Sequence, residues 1–242
     1  MALVNINKDV KLLLEITDYC NSGCPLCNRH ILGTSTAQPY VDRKSMSYDD
    51  FTEWFEPSFM KNMKGFVISG TYGDPIVCQD LLEILQYIQD ECPKNININL
   101  DTNGGVRKES WWRSVGSIFK NFNHNSFVSF WIDGLEDTLH IYRRGVDYAT
   151  VIRNAKAYMS VGGRAYWGFL QFAHNEHQED EVKRRAALLG FKKVKMKAVG
   201  GIDEIGYIEV DEDKVKASKR SVQDGTSRRT SVPVENLLLL KK

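Results

Sequence analysis

Three of the chain's five cysteines fall within eight residues, Cys20-Asn21-Ser22-Gly23-Cys24-Pro25-Leu26-Cys27. A loop presenting thiols at i, i+4 and i+7 can wrap a compact metal centre, and soft sulfur ligands select zinc, copper(I) or iron-sulfur clusters. The number of ligands separates these options. Structural zinc wants four, and His30 just downstream is the nearest fourth. A cubane cluster on three thiolates leaves one iron without a protein ligand, open to a substrate or cofactor. Cys78 and Cys92 are too scattered to build a second cluster and read as ordinary core or surface residues. An odd count with three in one cluster is a poor disulfide framework; in a reducing compartment it points to metal.

Further polar stretches recur after apolar runs: Ser69-Gly70-Thr71-Tyr72-Gly73-Asp74-Pro75, Asp101-Thr102-Asn103-Gly104-Gly105, FVSFWIDGLEDTLHIYRRG from Phe127, and Phe172-Ala173-His174-Asn175-Glu176-His177. Each alone is no more than a turn or cap signal. The elements between them explain the recurrence. Apolar or alternating runs predict strands at 12–16, 66–69, 96–100, 127–132, 165–172 and 193–197. Helical spacing lies between, with faces Phe51/Trp54/Phe55/Phe59, Leu81/Ile84/Leu85/Ile88, Trp112/Val115/Phe119, Tyr148/Val151/Ile152/Ala155 and Val182/Ala186/Leu189. Strand followed by helix, repeated, implies parallel strands joined by right-handed crossovers. Either an open doubly wound sheet or a closed or partial barrel satisfies this, and in both the chemistry sits in loops after strand C-termini. The cysteine loop follows the first strand.

The spacing C-x3-C-x2-C after a first apolar strand resembles the signature of the radical S-adenosylmethionine (radical SAM) enzymes, and the resemblance extends over roughly residues 10–200. It implies an α/β fold, a partial (β/α)6 TIM-like barrel. It further implies that Cys20, Cys24 and Cys27 ligate a 4Fe-4S cluster whose open iron chelates S-adenosylmethionine. The segment from Ser69 is similar to the family's Gly-Gly-Glu-Pro stretch, with GDP standing here and two extra residues between the glycines. Gly70 and Gly73 would then allow close backbone approach, and Asp74 would accept from the cofactor's amino group. Asn103 lies in a stretch similar to the family's Thr-Asn-Gly. Aligned on Asp133-Gly134, Arg143 matches the arginine that pairs with the methionine carboxylate, with Arg144 the adjacent alternative. The family's ribose-contacting serine falls at Trp131; Ser129, on the same side of the strand, is the substitute. Trp131 otherwise fills the barrel interior. Asn175 matches an asparagine that approaches the cofactor ribose, or serves as a helix cap. Residues 196–200 would line the adenine, and Leu26 stands where an aromatic residue is common.

The implied activity is reductive cleavage of S-adenosylmethionine to a 5′-deoxyadenosyl radical that abstracts hydrogen from a substrate, a peptide, protein or small molecule. An external electron donor such as flavodoxin or ferredoxin is implied with it. The rival reading is a zinc-binding structural or interaction module on Cys20, Cys24, Cys27 and His30.

Composition narrows the partners. With 32 basic and 31 acidic residues the net charge is +1, which gives no overall pull toward nucleic acid or anionic lipid. The N-terminus lacks a signal-peptide pattern and no apolar run is long enough to span a bilayer, so a cytoplasmic location is expected. The expected organisation is a core at 1–205 and a polar, mobile or truncated extension at 206–242, where Lys214, Lys216, Lys219, Arg220, Arg228 and Arg229 are diluted by acids. The Cys-rich C-terminal domain of the peptide-modifying SPASM-type members has no counterpart in the sequence.

Overall fold

The computed structural model describes residues 11–198. The polar extension and residues 199–200 of the expected adenine-lining stretch lie outside the described residues. Six parallel strands, β1 (Lys11–Leu14), β2 (Gly65–Ile68), β3 (Asn97–Thr102), β4 (Phe127–Trp131), β5 (Ala165–Gln171) and β6 (Lys193–Ala198), pair in the order β1-β2-β3-β4-β5-β6. Every strand lies beside its sequence neighbour, so the order never reverses as it does in a doubly wound sheet. The sheet is open, since β1 and β6 do not pair, and it forms a partial TIM-like barrel.

Among the described residues seven α-helices connect or flank the strands: α1 (Tyr48–Trp54), α2 (Pro57–Met60), α3 (Leu81–Glu91), α4 (Glu109–Phe119), α5 (Leu139–Tyr142), α6 (Tyr148–Met159) and α7 (Glu179–Leu189). Their ends follow local chemistry. A capping box between Ser47 and Asp50 starts α1. Three acids occupy the first turn of α7, and Gly190 ends it in the left-handed conformation at φ 92°. None of these helices is long and apolar enough to cross a membrane.

The continuous face expected at 51–59 is broken. Pro57 cannot donate to a preceding turn, so it starts a separate helix, α2, and Trp54 is left 43% exposed while Phe51 is fully buried. The short α5, which carries the chain to Arg143, has no apolar periodicity to announce it. Strand β1 ends at Leu14, two residues earlier than expected, because Ile16 instead accepts from Met46 N at 2.8 Å and Thr17 bridges Ser45.

Alternation along the strands divides the sheet into two faces. On the outer face Ile98, Leu100, Val128, Phe130, Trp167 and Phe169 are fully buried in the main core against α3, α4, α6 and α7 residues such as Trp112, Tyr158 and Val182. Each such large side chain contributes about 1.5–3 kcal/mol by leaving water. The opposite phase, Asn97, Asn99 and Asp101 on β3 and Lys193, Lys195 and Lys197 on β6, points to the inner face.

Candidate metal centre and cofactor cavity

Beyond β1 the chain leaves the sheet and forms the cysteine loop over the C-terminal strand ends. Its turns are tight, with Cys27 N donating to Cys24 O at 3.2 Å and His30 N to Cys27 O at 2.9 Å. Distant segments hold it in place. Gly23 N and Ser22 Oγ both donate to the Arg144 carbonyl, at 2.9 and 3.3 Å. The amides of Asn21 and Asn103 bond reciprocally at 3.2 and 3.0 Å. The buried Arg29 guanidinium donates to the carbonyls of Asp18 and, at 2.9 Å, Tyr72, tying the cysteine loop to the loop after β2.

The thiols of Cys20, Cys24 and Cys27 line one cavity of about 410 Å³, together with Gly70, Gly73, Asp74, Asn103 and Arg143. Burial, reinforced by Asp74, pushes the Cys20 thiol up to about 12. Burial also raises Cys24 against the pull of Arg143. Such thiols give up their protons to a metal centre rather than to water. Cys24 packs with Tyr142, Leu170 and Phe172, and Leu26, Cys27 and Trp131 border this group, so the cysteines have an apolar cover without an aromatic residue at 26. Three soft donors on the wall of one water-poor cavity fit an iron-sulfur cluster. His30, the fourth ligand of the zinc alternative, has Nδ1 2.9 Å from the Cys24 carbonyl oxygen. Among the described residues no three His, Cys, Asp or Glu side chains converge on a single ion, an arrangement distinct from a cluster, whose thiolates each bind a different iron.

The two glycines after β2 sit where only glycine fits. A Cβ on Gly70 would lie 2.2 Å from the Gly73 carbonyl oxygen, and one on Gly73 would lie 1.9 Å from that of Thr17. Both clashes are with backbone. Gly73→Ala is therefore expected to force the two loops apart and cost about 1–3 kcal/mol. Thermal unfolding of the variant beside the parent checks this; an unchanged Tm would contradict it.

Asp74, buried between these loops, accepts from Thr102 Oγ1 (2.8 Å), Asn103 N (2.7 Å) and Ile76 N (3.2 Å). Burial raises its pKa in spite of these bonds. Most of its acceptor capacity thus joins the β2 loop to the end of β3. Asn103 Oδ1 also accepts from Gly105 N at 2.8 Å, and its Nδ2 lies 3.9 Å from Cys20 Sγ.

Arg143 is brought to the cysteines from the end of α5. Its Nε donates to Asp133 Oδ2 at 2.6 Å, and Nη1 lies 3.7 Å from Cys24 Sγ. Burial alone would lower its pKa, but Asp133 and Cys24 more than offset this and keep it charged. Asp133 is completely buried and its other oxygen accepts from Leu170 N at 2.7 Å. Arg144 contributes its carbonyl to the cysteine loop. Trp131 borders the cavity, and its indole occupies the space that a side chain at Gly168 would fill, 2.5 Å from a Cβ built there.

Two expected residues are engaged elsewhere. Asn175 is fully buried; its Nδ2 donates to the carbonyls of Asp133 (2.8 Å) and Leu170 (2.9 Å), and its Oδ1 accepts from Phe172 N at 2.7 Å. Ser129, also fully buried, accepts from Lys195 Nζ at 3.1 Å on the inner face. The sequence reading passed over Asn21, Ser22 and Arg29 as site-forming residues and used Asp133 only as an alignment anchor. The partners of Ser22 and Arg29 include backbone carbonyls of remote segments, which leave no mark in side-chain spacing.

With this geometry in hand, known proteins can be compared. The family model of the Radical SAM superfamily matches residues 14–189. No curated protein matches the chain by sequence. Among solved structures, SuiB of Streptococcus suis bound to S-adenosylmethionine is 15% identical with a TM-score of 0.62, covering 97% of this chain and 48% of that one. SuiB bound to precursor peptide SuiA is 16% identical with a TM-score of 0.59, covering 78% of this chain and 39% of that one. The enzyme anSMEcpe with bound AdoMet and Cp18Cys peptide is 19% identical with a TM-score of 0.57, covering 77% of this chain and 49% of that one. The chain thus spans half or less of the length of these structures, and at these identities the likeness is one of fold.

Proposed function

Because the chain belongs to the radical SAM superfamily, we propose that it is an enzyme in which Cys20, Cys24 and Cys27 hold a 4Fe-4S cluster and the adjoining cavity takes S-adenosylmethionine. The observation that carries this is the meeting of all three thiols in one cavity with the Arg143 guanidinium. When bound, cluster and cofactor supply one-electron cleavage of the sulfonium and hydrogen abstraction from a substrate.

The chain's own residues position and seclude. Arg143 offers a planar donor to the cofactor's carboxylate while Asp133 fixes its orientation. Gly70 and Gly73 let backbone reach the cofactor, with Asp74 and Asn103 holding that loop against β3 and the cysteine loop. Asp74 retains acceptor capacity for the amino group. Tyr142, Leu170, Phe172 and Trp131 exclude water around Cys24. Ser129 and Asn175 reach the ribose only if their present hydrogen bonds are exchanged.

A peptide substrate is the finer reading, supported by the fold shared with SuiB, which binds a precursor peptide. A ferredoxin or flavodoxin serves as electron donor, in the reducing cytoplasm that five free cysteines suit.

Anaerobic reconstitution with iron and sulfide tests the proposal. The expected result is a brown protein that forms 5′-deoxyadenosine from S-adenosylmethionine under reductant. A colourless protein that takes up one zinc and leaves the cofactor intact would overturn it.

A further inference from the structure

The inner face of the sheet carries a pattern that the cofactor site does not use. A barrel interior closed by its own side chains is filled with layers of branched apolar residues. Here the apolar phase of β3, Ile98 and Leu100, goes to the helix side, and Asn97, Asn99 and Asp101 take the inner side. Strand β6 repeats this with Lys193, Lys195 and Lys197. Asp101 and Lys197 line the same cavity as the three thiols, so this polar wall is continuous with the proposed cofactor site.

Two features of the wall call for a ligand. The Oδ1 atoms of Asn97 and Asn99 are buried and have no hydrogen-bond partner. Buried acceptors of this kind are normally satisfied. Lys195 is the second. Its ammonium donates to Ser129 Oγ at 3.1 Å and lies 4.2 and 5.2 Å from the ring centroids of Phe127 and Tyr166, which are themselves stacked at 4.0 Å. These contacts are all neutral, and among the described residues no ion pair involves Lys195. The charge is partly buried; burial pulls its pKa down while Asp101 pulls it back up. With one of three N–H groups spent on Ser129, it keeps donors for an anion.

We propose that this inner wall receives a substrate carboxylate between Lys195 and Ser129, while the ligand's own N–H groups meet the orphaned oxygens of Asn97 and Asn99. The inference rests on the reading of the adjoining cavity as the radical SAM site. A carboxylate fits better than a phosphate because Asp101 pairs in register with Ser129, so a dianion there would face a carboxylate. Carboxylate and N–H donors together describe an acidic amino-acid residue, free or within a peptide.

The test is calorimetric titration of the reconstituted, S-adenosylmethionine-loaded protein with three probes: N-acetyl-glutamate N-methylamide, its glutamine counterpart and its phosphoserine counterpart. The glutamate probe should bind tighter than the glutamine probe by about tenfold or more. Lys195→Met should erase that preference and Lys195→Arg should keep most of it, with circular dichroism establishing that both fold. Equal binding of the neutral probe, preference for phosphoserine, no binding of any probe, or a preference that survives Lys195→Met would overturn the inference. Formation of 5′-deoxyadenosine by the parent protein is measured alongside. A parent that cleaves the cofactor but does not discriminate the probes refutes the inference alone; one that cannot cleave it refutes the underlying reading.

Discussion

Cys24→Ala is expected to reduce 5′-deoxyadenosine formation to the protein-free background while the fold persists. Cys24 is the most buried of the three thiols, 4% exposed, and the one beside Arg143, so alanine removes both an iron ligand and the sulfur facing that guanidinium. The fold tolerates the loss because the main core, from Leu14 to Phe191, contains none of the three cysteines. Cys24 belongs to a separate small group with Tyr142, Leu170 and Phe172, and deleting its sulfur there costs on the order of 1 kcal/mol. Cys20→Ala and Cys27→Ala should behave alike, since a cluster held by two thiolates is incompletely ligated. Iron content, far-ultraviolet circular dichroism and product analysis read the three consequences separately. Activity retained in two of the three variants would contradict the ligand assignment.

Arg143→Ala is expected to do two kinds of damage. Asp133 is completely buried and Arg143 is its ion-pair partner, so truncation strands a carboxylate in the interior at a cost of about 3–5 kcal/mol. Cofactor affinity falls as well, because the same guanidinium reaches Cys24 through Nη1. The double variant Arg143→Met, Asp133→Asn separates the effects. It removes both charges and keeps an amide oxygen to accept from Leu170 N, so stability should largely return while cofactor binding stays weak. Urea unfolding and equilibrium binding of S-adenosylmethionine are the measurements. If the double variant regains stability and cofactor affinity together, Arg143 is a structural residue only.

Much of the frame was legible beforehand. All six strands appear within a few residues of the expected positions, because fully or half-buried strands advertise themselves through apolar runs and period-2 alternation. Helices α3, α4, α6 and α7 followed from their apolar faces. The helix expected at 51–59 failed at Pro57, where the missing N–H outweighed a continuous aromatic pattern. The thiol triad was equally legible, since its ligands are local in sequence.

Sequence by itself therefore determined the alternating strand-helix order, the three thiols and the loops that gather around them. Tertiary structure decided which side chains in those loops are spent on the scaffold. Asn175 is consumed by three hydrogen bonds, Asp74 by the joint between two loops, and Arg143 is aimed by a carboxylate ten positions upstream. It also decided that the polar phase of β3 and β6 faces inward. Alternation tells that a strand has two unlike faces, but which of them the helices cover depends on contacts with residues far along the chain, and those contacts are fixed only when the sheet is assembled.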